Sequence, residues 1–290
     1  MINAKLAGQT HPNHQTIVEI SETVAFGGKE LVIIGGPCAV ESTEQMETVA
    51  KKLHKTPIQA LRGGVYKPRT SPYAFQGMGE TGLKVLKQVR QRYNMPVVTE
   101  VMCISQIELI AEHVDMLQVG SRNMQNFDLL KALGSAGKPI LLKRGLAATI
   151  EEFVMAAEYI LSHGNPNVVL CERGIRSFDN YTRNVLDLAA VAALKQITHL
   201  PVIVDPSHAV GKRELVASMS RAAVACGADG LIIECHPQPE QSVSDARQAL
   251  SLEDMVALVD SLKPIATAVG RVITEEMGVG DMLTPIPLAA

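Results

Sequence analysis

Residues 31–40 read LVIIGGPCAV. The apolar residues run on without the alternation of a half-exposed strand, so the segment reads as a strand covered on both faces, as in a parallel sheet. Seven further runs follow: IQALRGG (58–64), PVVTEVM (96–102), MLQVGSR (116–122), PILLKRG (139–145), NVVLCERG (167–174), PVIVDPSH (201–208) and GLIIECHP (230–237). Helical patterns lie between them. STEQMETVAKKLHK (42–55) opens on Ser42 with Gln45 three residues on, which predicts a capping box. TIEEFVMAAEYILSHG (149–164) opens on Thr149, has Glu151 and Glu152 in its first turn, and closes on Gly164 as a C-cap. Amphipathic stretches predict two more helices, over 180–197 and 212–227. Strand and helix alternate, which defines an α/β fold. Eight such units in roughly 235 residues favour a closed (β/α)8 barrel over an open, doubly wound sheet.

The barrel is expected over residues 29–265. Ahead of it, residues 1–28 hold two β-prone runs, TIVEI and TVAFGG, which predict a short hairpin suited to plugging the N-terminal end of a barrel. Behind it, residues 266–290 form a tail that could bind a partner, cover the site or pack along the barrel. No composition break marks a second domain.

Composition narrows the function. The 290 residues are 47% hydrophobic but only 3% aromatic, without Trp, so Ala, Val, Ile, Leu and Met must build the core. A formal net charge of −3 is no nucleic-acid footprint. No apolar run approaches the ~18–20 residues of a membrane span, and the polar N-terminus has no signal-peptide core. The five cysteines are odd in number and lack a CxxC, so reduced thiols and a cytoplasmic setting are expected.

Barrel enzymes work at the C-terminal ends of their strands, and polar residues gather there in this chain. Cations end four runs: Arg62 and Lys67, Arg122, Lys143 and Arg144, and Arg173 and Arg176. The loop LRGGVYKPRTSP (61–72) adds Arg69 at a break made by Gly63, Gly64 and Pro68. Arg forks and Lys point charges suit carboxylate and phosphate, and two phosphorylated ligands would account for so many donors. Cys38, His208 and Glu234 end runs one, seven and eight, which become neighbours when a barrel closes, and Asp245 follows in the next loop. Such a mixture suits Mn, Fe, Co or Zn better than Ca or Mg. Taken alone, His208 reads more readily as a loop or core histidine than as a ligand.

The segments GGPCAVES, LRGGVYKPRTSPYAFQGMGETGL, QVGSRNMQN, LLKRG, CERGIRSF, VDPSHAVGKR and ECHPQPEQSVSD stand in order along the chain. Together they resemble the 3-deoxy-D-arabino-heptulosonate 7-phosphate (DAHP) synthases, in the branch with a compact barrel. The resemblance spans roughly residues 16–262. It implies an aldol-like condensation of phosphoenolpyruvate with erythrose 4-phosphate, the first step of the shikimate route to aromatic amino acids. It implies that Cys38, His208, Glu234 and Asp245 hold a divalent metal. It implies that Arg62, Lys67 and Lys143 surround the phosphoenolpyruvate carboxylate and reacting carbons. Arg122 and Arg173 would take its phosphate beside Gly120 and Ser121, and Arg69 with Thr70 would take the sugar phosphate. Glu100 would lie near the attacking water. The resemblance also suggests a homodimer or homotetramer.

Three rivals are weighed against this reading. A 3-deoxy-D-manno-octulosonate 8-phosphate synthase typically shows a KANRSS-like loop where this chain has KPRTS. A Schiff-base aldolase using Lys143 would leave Lys67 and the metal-ligand set unexplained. A non-catalytic barrel that binds phosphorylated metabolites is the third. With only about 28 residues ahead of the first run, little feedback by Phe or Tyr through an added domain is expected.

Overall fold

The computed structural model describes residues 3–69 and 71–274. Strands β1 (Val18–Glu19) and β2 (Ala25–Phe26) pair as an antiparallel hairpin. The eight runs form β3 (Val32–Gly36), β4 (Ala60–Arg62), β5 (Val97–Val101), β6 (Met116–Val119), β7 (Ile140–Lys143), β8 (Val168–Glu172), β9 (Val202–Val204) and β10 (Gly230–Glu234). They close in chain order into a parallel barrel, sealed where β10 pairs with β3 from Gly230↔Val32 to Glu234↔Gly36. Every residue of β3, β8 and β10 is buried, which is why these runs do not alternate.

Successive side chains point to opposite faces of each strand. Ile33, Leu61, Leu117 and Leu170 pack outward against the helices. Ile34, Val98, Met116, Leu141, Val169 and Ile232 pack inside the barrel, and Val18, Ile20, Val24 and Phe26 of the hairpin join that inner cluster. The hairpin is therefore the plug expected of it. Phe26 is wholly buried, and such burial stabilises by about 1.5–3 kcal/mol per side chain.

The covering helices are α1 (Thr43–Leu53), α2 (Glu80–Tyr93), α3 (Ile107–Ala111), α4 (Phe127–Leu133), α5 (Ile150–Ser162) and α6 (Leu188–Ile197). A single extra turn, α7 (Pro206–Val210), caps the end of β9, and α8 (Arg213–Ala225) and α9 (Leu252–Ala268) complete the ring. α5 has the full capping box: Thr149 Oγ1 accepts from Glu152 N, and Glu152 accepts in turn from Thr149 N at 2.8 Å. α1 has half of one. Ser42 Oγ accepts from Gln45 N at 3.0 Å, but Gln45 Oε1 accepts from Glu41 N rather than from Ser42 N.

α6 corrects the expectation of a helix from residue 180. It begins at Leu188, capped by Asp187 accepting from Ala190 N. The preceding segment is held out of a helix by its neighbours, with Arg183 N donating to Val210 O, Asn184 N to Ala209 O and Val185 bridged to Ile175. Beyond α9 the chain turns back to the plugged end. Val272 N donates to Lys29 O, Leu31 N donates to Val272 O, and Arg271 pairs with the buried Asp229. The rest of the tail, 275–290, lies outside the described residues.

Candidate active site

At the C-terminal ends of the strands the loops enclose a cavity of about 430 Å³. Cys38, Arg62, Lys67, Arg69, Glu100, Gly120, Ser121, Arg122, Lys143, Arg173, His208 and Asp245 all line it. Glu234 lies behind this wall, fully buried. Thr70 lies outside the described residues.

Four of these side chains converge. One ligand-type atom from each of Cys38, His208, Glu234 and Asp245 lies within 4.8 Å of the others. Cys38 Sγ is 3.2 Å from Asp245 Oδ2 and 3.7 Å from His208 Nε2, which is 3.6 Å from Glu234 Oε2. Asp245 reaches the cluster from a left-handed backbone conformation, φ +56°, which Asp tolerates better than most residues. The donors fit a borderline divalent ion: a soft thiol, an imidazole and two carboxylates on one centre. The protein alone leaves them unsatisfied, since Glu234 Oε1 is buried without a hydrogen-bond partner. Burial pushes Glu234 up to about 7, with Arg62 opposing and Asp245 adding to the rise. Burial also raises the Cys38 thiol, and Glu234 adds to that. Burial lowers His208, so its imidazole is neutral, the form that binds metals.

Lys67 stands beside this cluster. Its Nζ donates to Cys38 O at 2.7 Å and to Cys38 Sγ at 3.0 Å. That approach requires a glycine at 64, where a Cβ would meet Cys38 O at 2.8 Å and Lys67 Cδ at 2.9 Å. Gly120 serves Glu100 in the same way, because a Cβ there would collide with Glu100 Oε1. Gln118, the first residue of the QVGSRNMQN segment but not singled out as a site residue, also lines the cavity and donates to Glu100 Oε2 at 3.4 Å.

The cations divide into paired and unpaired groups. Arg62 Nη1 and Arg69 Nη2 are buried without partners. Arg69 is otherwise braced, its Nε donating to Phe75 O at 3.0 Å. Arg173 Nη2 donates to His208 O at 3.0 Å, which leaves its charge unneutralised, and burial lowers its pKa. Arg122 projects from the short turn after β6. Lys143 Nζ is bonded to Asp205 Oδ2. Arg144, by contrast, faces away from the cavity and forms a buried structural pair with Glu172 (2.9 Å) and Asp187 (3.0 Å). Arg176, Arg183 and Asn184 also line the cavity, from the β8–α6 segment. Arg183 bridges Asp245 Oδ1 and Gln248 Oε1, each at 3.2 Å, and Gln248 donates to Glu234 Oε2 at 2.7 Å. Neither Arg183 nor Gln248 carries a sequence signal, since both act from loops.

A closed (β/α)8 barrel with a metal-type cluster beside a cation-lined cavity defines a class: barrel enzymes that act on small, multiply anionic substrates. The chain belongs to the DAHP synthetase I family, whose family model matches residues 15–269. It is 47% identical over 266 residues to the phospho-2-dehydro-3-deoxyheptonate aldolase of Thermotoga maritima, covering 92% of this chain and 78% of that one. A 2-dehydro-3-deoxyphosphooctonate aldolase of Syntrophotalea carbinolica is more distant, 35% identical over 251 residues, with 80% and 90% covered. The crystal structure of the Thermotoga DAHP synthase superimposes with a TM-score of 0.90 at 44% identity, covering 94% of this chain and 80% of that one. A truncated form of a Thermotoga maritima DAHP synthase superimposes at 0.87 and 43% identity, with 93% and 99% covered.

Proposed function

We propose that this chain condenses phosphoenolpyruvate with D-erythrose 4-phosphate and water, giving DAHP and inorganic phosphate at the head of the shikimate pathway. The observation that carries the proposal is a single cavity joining the Cys38–His208–Glu234–Asp245 cluster to the unpaired guanidinium nitrogens of Arg62 and Arg69. Residues 29–265 are proposed as the catalytic barrel, flanked by 1–28 and 266–290.

Arg122 and Arg173 bind the phosphate of phosphoenolpyruvate, with the Gly120 and Ser121 backbone beside them. Arg62 and Lys143 hold its carboxylate end, and Arg69 with Thr70 takes the sugar phosphate. Both reactants are thereby held for attack, which lowers the entropic part of the barrier. Cys38, His208, Glu234 and Asp245 would hold a divalent ion, Mn, Fe, Co or Zn, which would supply a Lewis acid for the aldehyde oxygen. Carbon 3 of phosphoenolpyruvate attacks the aldehyde carbon, and Lys67 Nζ gives its proton to the developing alkoxide as general acid. Water adds at carbon 2, with Glu100 orienting it and accepting its proton, and phosphate leaves with cleavage of the C–O bond. A cytoplasmic homo-oligomer, dimer or tetramer, is proposed on the family resemblance. Among the described residues no helix is long and apolar enough to cross a membrane.

A metal-dependent assay with both substrates tests this reading. Cys38→Ala loses metal activation, and Arg69→Ala raises the erythrose 4-phosphate requirement. Unchanged kinetics in both variants remove the site assignment. The octulosonate relatives supply the second reading. Faster turnover of arabinose 5-phosphate than of erythrose 4-phosphate would establish it over the first.

A further inference from the structure

Asp205 sits at the end of β9, wholly buried, between two parts of the site. Its Oδ1 caps the one-turn α7, accepting from His208 N at 2.9 Å. Its Oδ2 serves two side chains at once. It is bonded to Lys143 Nζ, and it lies 2.8 Å from His208 Nδ1, although the N–H direction is bent from the line between them. This wholly buried carboxylate has the Lys143 ammonium as the cation that balances it.

We propose that Asp205 is a positioning residue joining the two halves of the reaction centre: its Oδ2 orients the Lys143 ammonium and also fixes the His208 proton on Nδ1. The proposal rests on the metal and phosphoenolpyruvate assignments above. An acceptor-only oxygen beside Nδ1 selects the Nδ1–H tautomer. That leaves the Nε2 lone pair facing Cys38, Glu234 and Asp245. The same oxygen sets where the Lys143 cation stands in the cavity wall. Metal affinity and phosphoenolpyruvate affinity therefore share one atom, and neither can be lost there alone.

Asp205→Asn tests this, because it separates charge from capping. Asn is as good an N-cap as Asp, so its own Oδ1 can still accept from His208 N. Its amide then faces Lys143 and Nδ1 with donors. It repels the ammonium and moves the imidazole proton to Nε2, where the ring cannot ligate. The loss of a group that orients a metal-bound histidine typically lowers metal affinity about 10- to 100-fold.

Co(II) binding followed by its thiolate absorption, and phosphoenolpyruvate binding by calorimetry without metal, give the two readouts. The expected result is a loss of at least about tenfold for Co(II) and a several-fold loss for phosphoenolpyruvate, at an unfolding temperature close to wild type. A folded variant that binds both as wild type does overturns the proposal, and so does one that loses the metal alone. Wild-type protein that binds no Co(II) overturns the metal assignment itself, which is a different failure. If the variant does not fold, the 15N spectrum of wild-type His208 decides. Metal-free protein is expected to show the Nδ1–H tautomer, and an Nε2–H ring overturns the proposal.

Discussion

The two ends of the barrel treat charge in opposite ways. At the plugged end, charges are matched: buried Asp229 is bonded by Lys195 at 2.7 Å, by Arg271 and by Val202 N, and Asp115 by Arg90 at 2.6 Å. Val18, Ile20, Val24 and Phe26 fill the space between. At the open end, charges are left over. Arg62 Nη1, Arg69 Nη2 and Glu234 Oε1 are buried without partners, around a cavity. Unpaired buried polar groups destabilise a fold, so their concentration at one end marks where ligands complete the bonding. One end supplies stability, and the other spends some of it on binding.

Substitutions at the two ends should therefore report in different assays. Cys38→Ala removes the sulfur ligand from the cluster, and we expect turnover to fall by about a hundred- to a thousandfold, in line with loss of an electrostatic catalytic group. Its unfolding temperature without metal should fall only slightly, because the bonds that Cys38 Sγ makes with Lys67, Ser244 and Asp245 are weak sulfur hydrogen bonds. Steady-state rates and calorimetry on the same preparation check both halves. Phe26→Ala should do the reverse. Emptying that buried site costs about 3–5 kcal/mol of stability, read from denaturant unfolding. Below the transition, the KM values for both substrates should be unchanged. A shifted KM would mean that the plug and the cavity are mechanically linked, and the division between the ends would fail.

The cluster also carries a pH signature. Without metal, Glu234 is held up to about 7, and Cys38 is raised above its ordinary value. Both must be deprotonated to ligate. Below about pH 7, metal binding therefore expels about two protons, and above it about one. Affinity should climb steeply with pH up to about 7 and less steeply beyond. Calorimetry in buffers of different ionisation enthalpy counts the protons directly. An equal release at pH 6 and pH 8 would mean that Glu234 is ionised in the empty site.

Much of this was legible in the chain. The eight strands were, because short runs rich in Val, Ile and Leu, flanked by Gly or Pro, recur between helical stretches, as LVIIGG illustrates. The convergence of Cys38, His208 and Glu234 was too, because a closed barrel brings its first, seventh and eighth strand ends together. The start of α6 was not. NYTRNVLD leads into an amphipathic pattern, but its Asn, Thr and Asp are poor helix formers and its backbone bonds are taken by Val210, Ala209 and Ile175. Nor was the double duty of Asp205, or the turning of Arg144 away from the cavity, since both depend on which atom of a side chain faces which neighbour. Spacing along a sequence carries no record of that.

Arg183 gives the smallest effect and the sharpest test of the contrast, because it is a paired cation at the unpaired end. It holds Asp245 Oδ1 at 3.2 Å, while Oδ2 faces the cluster. Against the effect of burial, its charge helps keep the Asp245 carboxyl below its usual range. The pair is partly open to water, Arg183 at 39% and Asp245 at 25% exposure, so its worth should be that of a screened surface pair, about 0–1 kcal/mol. Arg183→Ala should therefore weaken metal binding by no more than about fivefold, and less at high salt. A loss of a hundredfold would mean that Arg183 acts as a brace on the Asp245 loop and that the open end is held as rigidly as the plugged one. Titrating the metal at two salt concentrations separates these outcomes, since a screened charge effect fades with salt and a mechanical one does not.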